Sequence, residues 1–214
     1  MNGLHGRNRM QDADRRFLAL GDSYTIGEGV AEHQRWPSQL VARLRAGGVG
    51  IADPQIVART GWTTDELASA MDAEHFRPPY ALVTLLIGVN NQYRGRPLDE
   101  YREQFGSLLR RAIALAGDDL HRVLVISIPD WSATPFARGP GRDPRSIAAQ
   151  IDGFNAVARE TAGACGTAFV DITGISRDPR CRNLLVADDL HPSAAQYTRW
   201  LEAIAPAAAE IVAR

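Results

Sequence analysis

The apolar residues of this chain fall into two alternating patterns, of which the first predicts strands. Short apolar runs, rich in β-branched residues and without polar alternation, recur along the chain. Runs of this length favour strands that are buried on both faces, as in a parallel sheet. The five runs cover residues 17–20, 55–58, 82–87, 123–128 and 168–172.

The second pattern predicts helices between these runs. Apolar residues recur there every three or four positions, which is typical of a helix with one buried face. Thr63 followed by Glu66 forms a capping-box pattern, and Pro97 suits a first helical turn. The helices are predicted around Trp36 and Leu40, from Thr63, and along the stripes that begin at Leu98, Ile147 and Tyr197.

Alternation of five strands with five helices predicts a doubly wound α/β domain, with right-handed crossovers covering both faces of the sheet. No internal repeat and no linker rich in Pro, Gly or Ser divides the chain. We therefore expect one domain over residues 15–214, preceded by a loose tail over residues 1–14. In such sheets ligands bind at the carboxyl ends of the strands, so the residues that follow each run are the informative ones.

Composition excludes several classes of chemistry. All 24 basic residues are arginine, so neither a phosphate-binding loop ending in Gly-Lys-Ser/Thr nor a lysine Schiff base is possible. The two cysteines are too few for a four-thiolate zinc site. A formal net charge of -1, with dispersed arginines, argues against a nucleic-acid partner.

The same sequence contains no feature of a membrane or secreted protein. No apolar run approaches the roughly 18 residues that a membrane span needs, and residues 1–16 lack the apolar centre of a secretory signal. We therefore expect a soluble protein, most simply cytoplasmic.

Residues with available hydroxyl, N–H or amide groups follow the first three runs at the predicted strand ends. Ser23 comes after the first run and is flanked by Gly21 and Gly27, so its hydroxyl can be exposed at the sheet edge. Gly61 follows the second run, and Asn90 follows the third with an amide donor. Taken alone, each of these residues is more simply explained as part of a turn or a helix cap.

An acidic residue and a histidine precede the last helix. His191 is a candidate general base, and an acid three positions earlier can hydrogen-bond its ring and fix the tautomer. This spacing favours Asp188 over Asp189. Although a capped helix start explains Asp188 and His191 equally well, all four strand-end features together supply a nucleophile, oxyanion donors, a base and an orienting acid for acyl transfer.

The sequence resembles the GDSL/SGNH hydrolase family of esterases and lipases. The resemblance lies in four blocks in the family's order, spanning residues 17 to about 200: 21–28, Gly61, 88–91 and 188–192. Two positions depart from the family pattern, because Tyr24 follows the serine where leucine is expected and Asn91 stands where many members have aspartate.

The resemblance implies a three-layer α/β/α sandwich with a flavodoxin-like, five-stranded parallel sheet. It implies that Ser23 is the nucleophile, that Asp188 and His191 complete the triad, and that the Ser23 N–H, the Gly61 N–H and the Asn90 amide form the oxyanion hole. Such an enzyme needs no metal and no cofactor.

The substrate is less well defined by the sequence. We expect a small-molecule ester with a short acyl or aryl group, and contacts from Trp62, Asn91, Tyr93 and Trp131, although these aromatic residues fit burial under loops equally well. A carbohydrate acetylesterase, a thioesterase and a lysophospholipase would use the same catalytic residues.

Two alternatives of other classes are weaker. A catalytically silent binding module is disfavoured because Ser23, Asn90 and His191 are all present, and a metallophosphoesterase would need more histidines at the strand ends.

Overall fold

The computed structural model describes residues 15–214, so the tail predicted over residues 1–14 lies outside the described residues. Each of the five apolar runs forms a strand. The strands are β1 (Phe17–Gly21), β2 (Pro54–Ala58), β3 (Leu82–Leu86), β4 (Val123–Ile126) and β5 (Ala168–Val170). They form one parallel sheet in the order β2-β1-β3-β4-β5, in which the three inner strands are completely buried.

The helices of the described chain include all five that the apolar stripes predict, together with three short ones. They are α1 (Ser23–Ile26), α2 (Trp36–Ala46), α3 (Thr64–Ala73), α4 (Val89–Tyr93), α5 (Leu98–Leu115), α6 (Pro144–Cys165), α7 (Thr173–Arg177) and α8 (Ala194–Val212). The capping box is present, since the Thr63 N–H donates to the Glu66 carboxylate at 2.9 Å.

The helices form a layer on each side of the sheet. Helices α2 and α8 pack together on one face, while α3, α5 and α6 pack side by side on the other. Right-handed crossovers require this division, because the chain steps one way from β1 to β2 and the opposite way through β3, β4 and β5. The predicted three-layer α/β/α sandwich with a flavodoxin-like strand order is confirmed.

The fourth and fifth strands end two residues earlier than the apolar runs predict. Asn155 of α6 explains the end of β4, because its side chain bonds both the N–H and the carbonyl of Ile128 at 2.7 and 2.9 Å. At Ile128 these two bonds take the place of hydrogen bonds to a neighbouring strand, and β4 ends before this residue.

The switch point of the sheet lies between β1 and β3. Gly21 at the end of β1 is level with Ala58 of β2 and Leu86 of β3, so the three strands end together. From there the connections leave toward opposite faces and open a crevice at the carboxyl ends of the strands. Within residues 15–214, no helix combines the length and the apolarity needed to cross a membrane.

Candidate active site

The turn after β1 places Ser23 at this switch point. A Cβ on Gly21 would lie 2.6 Å from the Leu86 carbonyl oxygen, so the tight turn requires glycine. The Asp22 carboxylate then caps α1 by accepting the Tyr24 N–H at 3.0 Å, and Ser23 is the first residue of that helix. Its N–H has no partner among the described residues, as expected for the first residue of a helix.

The Asp188 carboxylate holds both the ring and the backbone of His191. Its Oδ2 lies 2.5 Å from His191 Nδ1, while its Oδ1 accepts the backbone N–H groups of Leu190 and His191 at 2.9 Å each. Partial burial acts to raise the pKa of Asp188, but the bonds from the His191 ring and from these N–H groups outweigh it and lower the pKa. Asp188 is thus a carboxylate, and it leaves Nε2 of the ring free.

A hairpin-like loop carries His191 to the crevice. The loop closes where Val186 N–H donates to the His191 carbonyl at 2.9 Å and Ser193 N–H donates to the Leu184 carbonyl, also at 2.9 Å. The Tyr24 ring lies against the His191 ring at a centroid distance of 5.7 Å, which joins this loop to the Ser23 turn.

Three residues with an available hydrogen-bond donor follow β1, β2 and β3 at the crevice, namely Ser23, Gly61 and Asn90. Gly61 has a φ of +88°, a conformation that favours glycine, and neither its N–H nor that of Ser23 has a partner among the described residues. The Asn90 amide donates one N–H to the Trp62 carbonyl at 2.9 Å and keeps a second. Arg94 donates to the Gly61 carbonyl at 2.7 Å and pairs with Glu66, which fixes the orientation of this turn.

These residues line one cavity of about 220 Å³. Its lining includes Ser23, Gly61, Asn90 and His191, while Asp188 lies behind the ring of His191. Ser23 Oγ makes no hydrogen bond to His191 or to any other described residue, and the hydrogen bond of the His191 ring is the one to Asp188. The rest of the lining is formed by Tyr24, Thr60, Val89, Tyr93, Trp131, Phe136 and Leu190.

Two of the predicted substrate contacts are wrong. Asn91 is fully buried, and its amide accepts the Thr64 N–H at 3.1 Å and donates to the Thr64 hydroxyl at 2.7 Å, so it holds the start of α3. The Trp62 side chain packs against the hydrophobic core outside the cavity, because the chain turns away after Gly61. Tyr93 and Trp131 do line the cavity.

Val89 and Leu190 are among the lining residues that the sequence did not predict. Both lie next to a motif residue, Val89 before Asn90 and Leu190 before His191, and this adjacency is the signal that could have identified them. Within residues 15–214, no group of three or more His, Cys, Asp or Glu side chains is placed to hold a metal ion.

Asp22 makes the stability of the fold depend on pH. Burial raises its pKa from 3.8 to about 7, against the opposing hydrogen bond from the Tyr24 N–H. Because the folded pKa exceeds the unfolded one, the contribution to stability is complete below about pH 4 and is lost as pH rises toward 7. Relative to Asp22→Asn, the wild type should lose about 4 kcal/mol of unfolding free energy over this range.

Chemical denaturation of both proteins from pH 4 to 8 measures this difference. Asp143→Asn is the matched control, since Asp143 caps α6 by the same geometry but is exposed. A difference between wild type and Asp22→Asn that stays constant with pH would contradict the expectation.

A known protein family matches most of this chain. The model of the GDSL-like lipase/acylhydrolase family matches residues 19–199. A search of curated proteins finds no match.

Many solved structures share the fold. A lipase/acylhydrolase from Enterococcus faecalis is 21% identical over 92% of this chain and 93% of its own, with a TM-score of 0.69. The psychrotrophic esterase EstA from Pseudoalteromonas sp. is 17% identical over 94% and 100%, also with a TM-score of 0.69. An acetylxylan esterase from Geobacillus stearothermophilus is 19% identical over 94% and 95%, with a TM-score of 0.68.

Proposed function

The chain belongs to the GDSL-like lipase/acylhydrolase family, and we propose that it is a serine esterase that hydrolyses short-chain acyl or aryl esters through an acyl-enzyme on Ser23. One observation carries this proposal. Ser23, His191 and two oxyanion donors line the same small cavity, and Asp188 holds the far side of the His191 ring at 2.5 Å.

The proposed reaction has two halves, of which the first transfers the acyl group to Ser23 and the second hydrolyses the acyl-enzyme. Ser23 Oγ attacks the ester carbonyl while Nε2 of His191 accepts the hydroxyl proton, and Asp188 stabilises the imidazolium. When the tetrahedral intermediate collapses, the bond to the alcohol oxygen breaks and His191 returns the proton to the leaving alcohol. Water then attacks the acyl-enzyme with His191 again as base, which releases the carboxylic acid and restores Ser23.

The oxyanion is stabilised by the N–H groups of Ser23 and Gly61 and by the Asn90 amide. Each donor is held before the substrate arrives: Ser23 by its helix, Gly61 by Arg94, and Asn90 by the Trp62 carbonyl. Fixed donors need little reorganisation as charge develops, which is the main source of their effect.

The size and lining of the cavity favour small acyl groups. A volume of about 220 Å³ is below the roughly 300–1,000 Å³ of pockets for drug-sized ligands. The walls beyond the catalytic residues are mostly apolar, and Trp131 lies between Tyr93 and Phe136 at ring distances of 5.7 and 6.0 Å.

A series of p-nitrophenyl esters from acetate to dodecanoate tests the proposal. We expect the highest kcat/KM for acetate to butyrate and a steep decrease from octanoate onward, because a longer chain leaves the cavity. Activity should be lost after treatment with a fluorophosphonate that labels the active serine. An acyl-thioester and a lysophospholipid in the same series distinguish the alternative substrates, and a preference for either, or no hydrolysis of any ester, would overturn the assignment.

A further inference from the structure

A second cavity lies beside the catalytic one. An open groove of about 590 Å³ shares Tyr93 and Trp131 with the catalytic cavity. It runs between the turn after α4 and the start of α6, so a substrate with its acyl group at Ser23 can extend its alcohol portion into the groove. Where the catalytic cavity is mostly apolar, the groove has polar side chains, namely Gln92, Arg142, Asp143, Ser146 and Gln150.

A chain of hydrogen bonds fixes the floor of this groove. Trp131 Nε1 donates to Gln92 Oε1 at 2.8 Å, Gln92 Nε2 donates to Gln150 Oε1 at 2.7 Å, and Gln150 Nε2 donates to Ser146 Oγ at 3.3 Å. The chain connects a wall of the catalytic cavity with the exposed rim of the groove. Gln150 keeps a second N–H and Ser146 keeps its hydroxyl proton, so two donors remain for a ligand.

The charges of the groove favour a neutral ligand. Arg142 and Asp143 are adjacent and opposite in sign, and both are already engaged. The Arg142 guanidinium lies 3.7 Å from the centroid of the Phe136 ring and donates to the Phe136 carbonyl, while Asp143 accepts the Arg145 N–H at 3.0 Å. The remaining amide and hydroxyl groups match neutral hydroxyl groups of a ligand.

Tyr93 supplies an aromatic surface at the junction of the two cavities. Its side chain is 52% exposed, and Tyr93 and Leu98 are the exposed large hydrophobic residues of the described chain. The ring packs edge to face on Trp131, which holds it in place. An exposed, fixed aromatic ring beside amide and hydroxyl donors suits the apolar face and the hydroxyl edge of a sugar ring.

We propose that this groove is the subsite for the alcohol portion of the substrate, and that it takes a neutral glycosyl unit, with Tyr93 against the sugar ring and Ser146 and Gln150 bonded to its hydroxyl groups. The proposal rests on the proposed esterase function and names the substrate as an O-acylated sugar.

Two acetate esters with different alcohol portions test the subsite: mono-O-acetylated cellobiose and hexyl acetate. In Ser146→Ala/Gln150→Ala, the ratio of kcat/KM for the sugar ester to kcat/KM for hexyl acetate should fall about tenfold, as expected for one or two lost neutral hydrogen bonds. Arg145→Ala, on the same helix but outside the groove lining, should keep the wild-type ratio. Unesterified cellobiose should inhibit hexyl acetate hydrolysis in the wild type and less in the double variant.

The outcomes separate the two proposals. If the wild type cleaves hexyl acetate but the double variant keeps the wild-type ratio, or if both esters are affected equally, the glycosyl subsite is wrong and the esterase assignment stands. If the wild type cleaves no ester, the esterase function and the subsite fall together.

Discussion

Ser23→Ala should fold like the wild type and lose ester hydrolysis, with kcat reduced on the order of 10⁶-fold. The loss is this large because no other group replaces the nucleophile, and without it no acyl-enzyme forms for the later steps that His191 and the oxyanion donors assist. The folded state should be nearly unaffected. Ser23 is only 4% exposed, but its Oγ has no hydrogen-bond partner among the described residues, so replacing the hydroxyl breaks no bond.

Hydrolysis of p-nitrophenyl acetate, labelling by a fluorophosphonate and thermal unfolding measure these effects together. Ser69→Ala is the matched control, because Ser69 is an exposed helical serine on α3 outside the cavity lining. We expect full activity for this control. Retention of more than a tenth of the activity in Ser23→Ala would refute the assignment of the nucleophile.

The sheet and the positions of the proposed catalytic residues follow from the sequence for a physical reason. Strands buried on both faces must be apolar throughout, so they stand out, and their carboxyl ends must meet at one edge. Ser23, Gly61 and Asn90 each follow such a run, and the structure places all three in one cavity.

The side-chain directions beyond these residues could not be predicted in the same way. Asn90 and Asn91 are adjacent on a short helix, where one position rotates a side chain by about 100°. Asn90 therefore faces the cavity while Asn91 faces the core and bonds Thr64. The groove depends on contacts between Gln92 and Gln150, which are 58 positions apart, and no local pattern reports such a contact.

Asp188→Asn should reduce kcat about 10⁴-fold while leaving the loop in place. The asparagine carbonyl can still accept the N–H groups of Leu190 and His191, as Asp188 Oδ1 does. Its amide N–H₂ would face His191 Nδ1, however, and would require the tautomer whose Nε2 carries the proton. Such a ring cannot accept the proton of Ser23.

The neighbouring residue provides the matched control. Asp189 has a φ of +59°, which asparagine tolerates, and its side chain makes no hydrogen bond to His191. Asp189→Asn therefore removes a carboxylate one position away without changing the tautomer, and its kcat should stay within about twofold of wild type. Measurement of kcat for both variants distinguishes a specific bond to the ring from a general effect of negative charge, and equal losses in the two variants would remove Asp188 from its proposed role.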